Sequence, residues 1–225
     1  MADYPNTDFK TLKFTSNQKV NQSVSESGKT QTRLIGGQKF MASINHAAMT
    51  KAEYFALDAF LMSQQGRDQS FTVSFPDKTG LGAVTGSPTT HSDRVAGQNT
   101  VAIHDLVPST TDVFVASDMI NFSNHSKGYK IVSTVSSNAA DEIAKADGTG
   151  VLLKADGTGS LLMARANQAI VTIFPPLVED VADGSTVSYG VNFTLTMEVD
   201  SDIQSYKVIP PNIYEKQVNL VEYIP

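Results

Sequence analysis

Between Thr186 and Asp200 the chain alternates apolar and polar residues without a slip. Val187, Tyr189, Val191, Phe193, Leu195, Met197 and Val199 fall on one side. Thr186, Ser188, Gly190, Asn192, Thr194, Thr196 and Glu198 fall on the other. Strand side chains alternate faces with period two, so the pattern predicts a strand with one buried and one polar face. As a single strand it would extend about 40–45 Å at about 3.3 Å per residue, well beyond ordinary strand length. Its polar face is mostly small hydroxyl and amide side chains. That suits a large antiparallel sheet, packed on one side and facing water or a wet lumen on the other. The feature is architectural rather than catalytic.

The 225 residues are enough for one large β domain or two small ones. A net charge of -6 and the absence of any basic run argue against a phosphate-binding surface, so stable nucleic-acid binding is not expected. With no Cys, disulfides, thiolate metal sites and Cys nucleophiles are excluded. The first residues, Met1-Ala-Asp-Tyr-Pro-Asn, lack the basic and apolar regions of a signal peptide, and no apolar run is long enough to span a bilayer. No membrane partner is expected, and synthesis in a cytoplasm is.

One helix is legible. Thr50 followed by Glu53 forms a capping box, and the spacing predicts a helix over 51–64, with Ala52, Phe55, Ala59 and Met62 as its buried stripe and Gly66 closing it at C′. Thr30–Ile44 reads as extended, with Gly36-Gly37 marking a turn or bulge, and Phe71, Val73 and Phe75 alternate up to Pro76. Residues 78–100 read as a long Gly/Ser/Thr/Pro loop, with the Gly80–Gly97 part ordering on assembly. Further strands are expected at Val101–Val107, Asp112–Ala116, Met119–Phe122, Tyr129–Val135 and Ala169–Phe174. The tail with Pro210-Pro211 is expected to cross or wrap rather than build core. The resulting division is 1–76 for the first part of a β domain, 77–169 for a linker and inserted β-rich region, and 170–225 for the return.

No catalytic, cofactor or metal site emerges. Lys145-Ala-Asp-Gly-Thr-Gly150 recurs as Lys154-Ala-Asp-Gly-Thr-Gly159. Asp-Gly is a tight-turn pair, so the repeat reads as consecutive β-turns in an exposed meander; two copies are too few for a calcium-binding β-helix, which is the lesser alternative. His46, His91, His104 and His125 lie far apart in sequence, so a metal or base role needs tertiary convergence. His125 and its neighbouring Asn side chains are expected to hold a turn by bonding its backbone. The acids Glu179, Asp180, Asp183, Glu198, Asp200 and Asp202 sit in settings typical of solvated surface charge. Nucleophile elbows and phosphate loops are absent, and no enzyme is expected.

Three segments carry a resemblance. They are Lys29–Ile44 continuing through Met49–Glu53, Phe60–Arg67 and Phe71–Phe75; Asp118–Tyr129; and Ile173–Leu177 with Val181–Gly184. Together they resemble the distal-tail or tube-initiating structural proteins of tailed bacteriophages. The resemblance implies a mainly β, tail-tube-like β-sandwich or split barrel with one flanking helix and an inserted β-rich region. It further implies a homohexameric ring in the virion, linking tail tube to distal tip and contacting other tail-tube and baseplate proteins; the net charge of -6 would let DNA pass through its lumen without sticking. A host-glycan-binding module at the tail tip is the alternative, against which the absence of Trp counts.

Overall fold

The structure, a computed structural model, describes residues 2–5, 9–75, 80–137, 167–190, 193–203, 205–210 and 212–224, with the side chains of 34–36 left aside. In chain order its elements are β1 (Ala2–Asp3), β2 (Phe9–Val24), β3 (Thr30–His46), α1 (Lys51–Ser63), β4 (Phe71–Ser74), β5 (Thr89–His91) and β6 (Thr100–His104). These are followed by β7 (Met119–Phe122), β8 (Gly128–Ile131), β9 (Ala169–Phe174), β10 (Val187–Tyr189) and β11 (Thr194–Val199). The last are β12 (Lys207–Ile209), β13 (Ile213–Glu215) and β14 (Gln217–Glu222). The protein is mainly β, with one helix among the described residues. Two compact units divide the chain: Met1–Val73 with Leu195–Pro225, and Ser74–Thr194.

The first unit is built on a six-stranded sheet in the order β1-β4-β11-β14-β3-β2. Alternation decides which side chains it buries: Phe40, Ala42 and Ile44 from β3, Leu195, Met197 and Val199 from β11, Val218 and Leu220 from β14. The tail therefore builds core. β14 lies between β11 and β3, paired antiparallel to both, and only the β12–β13 ribbon around Pro210 departs from the sheet. A run of six residues with alternating burial outweighs the proline signal before it, because Pro210 lies in a turn and not in the strand.

The capping box at Thr50 forms as expected, with Glu53 N–H donating to Thr50 Oγ1 and Thr50 N–H to Glu53 Oε2 at 2.8 Å. The buried stripe of α1 differs from the expected one. Tyr54, Leu57 and Leu61 are buried, whereas Phe55 and Met62 are 53% and 58% exposed and Ala52 and Ala59 face solvent. Apolar residues lie on both faces of this helix, so spacing alone selects the wrong one. Tyr54 stacks on Tyr214 at a ring-centroid distance of 4.7 Å, which fixes the inward face. Gln64 is the C-cap, so the left-handed C′ position falls on Gln65 (φ 53°), one residue before Gly66.

The second unit carries the sheet β10-β7-β8-β9-β6-β5 over a core that includes Val101, Ile103, Phe114, Phe122, Tyr129 and Val171. Ala169–Phe174 is a strand as expected, but it pairs with β6 and β8, so the return to the first unit lies at Leu195 rather than at residue 170. The alternating run 186–200 is correspondingly not one strand. Val187–Tyr189 pairs with β7 in the second unit, Gly190 turns the chain at φ 62°, and Thr194–Val199 enters the first unit's sheet. A period of two persists across such a break because each half must bury one face in its own core. Asp112–Ala116 forms no strand, contributing only a bridge from Phe114 to Val135.

Candidate assembly surfaces and side-chain clusters

β2 and β3 form a hairpin far longer than the sheet requires. The pairing runs from Phe9↔His46 to Val24↔Thr30, with register shifts around Lys19, opposite Gly36, where a bulge was expected. Near the sheet, Phe14 stacks on Phe40 at 5.2 Å. From Thr15 to Val24, and from Thr30 to Arg33, every residue is exposed on both faces of the ribbon. The turn closes through Gly28, at φ 78°. β2 is also the outer strand of its sheet, so its far edge presents backbone N–H and C=O groups to solvent. An isolated two-stranded ribbon is marginal in water. Sequence reasoning passed over β2 because its outer half, Ser-Asn-Gln-Lys-Val-Asn-Gln-Ser, has no apolar period; its length on the partner strand was the available signal.

The outward face of α1 is a second apolar surface, formed by Phe55, Ala59 and Met62. Lys51 Nζ lies 5.2 Å from the Phe55 ring centroid, the only charge that the helix places over this stripe among the described contacts.

A cleft of about 450 Å³ in the first unit is lined by residues that include Lys10, Asn45, His46, Tyr206 and Lys216. The Lys216 side chain is 1% exposed. Its Nζ lies 3.6 Å from Asp58 Oδ1 and has no hydrogen-bond partner among the described residues. Burial pushes its ammonium pKa down, with Asp58 pulling the other way. His46 faces the same interior, and the Tyr4 hydroxyl lies 2.7 Å from its Nε2. Burial, reinforced by the positive charge of Lys216, lowers the His46 pKa to about 4. The ring is therefore neutral at neutral pH and shares a hydrogen bond with the Tyr4 hydroxyl. The cleft is thus a polar recess with a buried cation at its wall.

The other histidines resolve into two settings. His125 Nε2 lies 2.7 Å from the Tyr129 hydroxyl, whose oxygen also accepts the Val178 N–H at 3.1 Å. The turn is thus braced by a side-chain pair rather than by His125 bonding backbone. Asn124 does bond backbone, donating to the Asp180 carbonyl. Burial lowers the His125 pKa. His91 and His104 converge from β5 and β6, with rings T-shaped at 5.8 Å, and Asp183 joins them. Asp183 was expected to be solvated surface charge. Pairing of the 181–186 segment with β5 brings it there, which no sequence spacing announces.

Asp118 is the organising carboxylate of the second unit. It accepts N–H bonds from Leu81 (2.9 Å), Gly82 (3.2 Å) and Val115 (2.8 Å), together with the Tyr189 hydroxyl. The described part of the Gly80–Gly97 segment is thereby fastened within its own unit, before any assembly. The Lys145–Gly150 and Lys154–Gly159 repeat lies outside the described residues. No helix among the described residues is long and apolar enough to cross a membrane. Comparison with known proteins returns neither a matching family model nor a match among curated proteins.

Proposed function

We propose that the chain is a structural ring component of a bacteriophage tail tip or baseplate, joining copies of itself and linking tail tube to distal tip. The observation that carries the reading is the β2–β3 hairpin. Its outer half is exposed on both faces and carries an unpaired edge, yet it is held as a paired ribbon that continues strands of 16 and 17 residues, with register shifts only around Lys19 and near Phe9. A ribbon of this kind gains its stability from a neighbour, and a second copy supplies a matching edge and a matching set of small polar side chains. The exposed Phe55–Met62 stripe is a further surface for a neighbouring copy. The resemblance of Lys29–Phe75 to tail proteins falls on β3, α1 and β4, and so includes one strand of the hairpin and the helix with the apolar stripe. Passage of DNA past an acidic inner wall belongs to the same proposal and rests on the net charge of -6.

The test is assembly. Sedimentation and negative-stain imaging of the purified chain should give closed rings at high protein concentration. A variant with residues 19–35 replaced by Asn-Gly should stay folded and monomeric. A wild-type chain that remains monomeric at all concentrations and occupies no place in any phage particle would overturn the proposal.

A further inference from the structure

We propose that His91, His104 and Asp183 form a binding site for a borderline divalent transition metal ion such as zinc, with solvent completing the coordination. The three side chains come from β5, β6 and the turn that pairs with β5, and one ligand atom from each lies within 4.8 Å of the others. A tetrahedral zinc site with bonds of about 2.0–2.1 Å needs ligand separations of about 3.4 Å, which modest side-chain rotation reaches.

Each ligand is already positioned. His104 is 12% exposed, and its Nδ1 lies 2.9 Å from Asp105 Oδ2. That pairing is the outer-shell arrangement of a metal-bound imidazole, and Nε2, 3.0 Å from the Thr89 hydroxyl, would exchange that contact for the ion. Thr89, directly across the ladder from His104, also contacts Asp105, through its hydroxyl at 2.6 Å. Asp183 accepts the Ser92 N–H at 2.9 Å through Oδ1, while its own N–H donates to Asp93 Oδ1 at 2.8 Å. The turn that presents it is therefore tied to the strand that presents His91.

A second observation is independent of this convergence. His91 Nδ1 is shielded from solvent and has no hydrogen-bond partner among the described residues. Buried polar atoms are rarely left so, and a bound ion would give this imidazole the partner it lacks. Two imidazoles and one carboxylate match the preferences of zinc, cobalt and nickel, not the all-oxygen shell of calcium or magnesium. Asp183 is exposed, so the fourth position opens to water. A bound ion would clasp three chain segments at the β5 margin of the sheet. The inference stands independently of the ring proposal.

The experiment is titration of the chelator-stripped full chain with zinc and with cobalt, read by calorimetry and by the intense visible absorption of four-coordinate cobalt. One equivalent per chain is expected, with a rise in the thermal midpoint. H91A and D183N should each weaken binding at least tenfold. In the wild-type chain, zinc should shift the ring resonances of His91 and His104 and leave those of His46 and His125 in place, a readout that needs no variant to fold. Absence of saturable binding, binding unchanged in both variants, or shifts confined to His46 or His125 would each overturn the assignment.

Discussion

The Tyr189 hydroxyl donates to Asp118 Oδ2 at 2.9 Å, and through that bond the last strand of the second unit fixes a carboxylate that in turn holds the backbone of Leu81, Gly82 and Val115. Burial and the adjoining carboxylate raise the Tyr189 pKa, so its proton stays in place at any ordinary pH. Asp118→Ala removes the acceptor for every one of these donors at once. It should cost about 2–3 kcal/mol, because several part-buried N–H groups are left unpaired. Tyr189→Phe removes one charge-assisted bond and should cost about 1.5–3 kcal/mol. Urea denaturation checks both, and amide exchange should quicken at Leu81, Gly82 and Val115 in the first variant.

Gly80 tests the same contact from the other side. A Cβ at this position would collide with the Tyr189 hydroxyl and ring, and one at Gly82 would meet the Val113 carbonyl. Gly80→Ala should therefore destabilise by about 1–3 kcal/mol through overpacking. Combining it with Tyr189→Phe should be less costly than the sum of the two changes. Gly86, which has open space around its Cβ direction but a φ of 87°, should tolerate Asn better than Ala. Thermal melts of the variant set separate steric from conformational cost.

The depressed pKa of His46 gives a signed pH dependence. Unfolded, the ring titrates near its ordinary value of about 6.5; folded, it titrates at about 4. Above the higher value both states are neutral and His46 contributes nothing. As pH falls from about 6.5 to about 4, the unfolded state takes up a proton that the native state refuses, so stability is lost across that window, by about 3 kcal/mol. Below it the loss levels off. His46→Gln keeps an acceptor for Tyr4 and should flatten the difference, while Lys216→Met should move the native titration upward. The measurement is the stability difference between wild type and H46Q across the window, with carboxylate titration common to both.

The two faces of α1 should respond oppositely to substitution. Leu57, fully buried, should cost about 2–5 kcal/mol as Leu57→Ala. Phe55→Ser and Met62→Ser should change monomer stability by about 0.5 kcal/mol or less, yet lower the tendency to form rings. Calorimetry on the monomer and sedimentation at high concentration distinguish the two effects.

The mainly β class, the capping box, the bulge near Gly36 and the 169–174 strand were legible because each rests on local chemistry. Residue spacing could not say which of two apolar helix faces turns inward, since Tyr54 is covered by Tyr206 and Tyr214, far along the chain. Nor could alternation reveal that 186–200 serves two sheets, because both sheets impose the same period. Proline punctuation hid β14, whose position between β11 and β3 is set by long-range pairing alone. The histidine–aspartate cluster was invisible for the same reason. Its members meet through the ladder of β5 with β6 and the bridge to Thr186, not through any spacing in sequence.

The strand order of the first unit also dictates a sequence of events during synthesis. β3 and β4 are not neighbours; β11 and β14 lie between them, encoded after the entire second unit. As the chain emerges from the ribosome, Phe40, Ile44, Phe71 and Val73 have no sheet to close over them until residues beyond Leu195 arrive. Among the described residues, every strand of the second unit's sheet is encoded between 74 and 194. The nascent protein completes its middle first, and its beginning waits for its end.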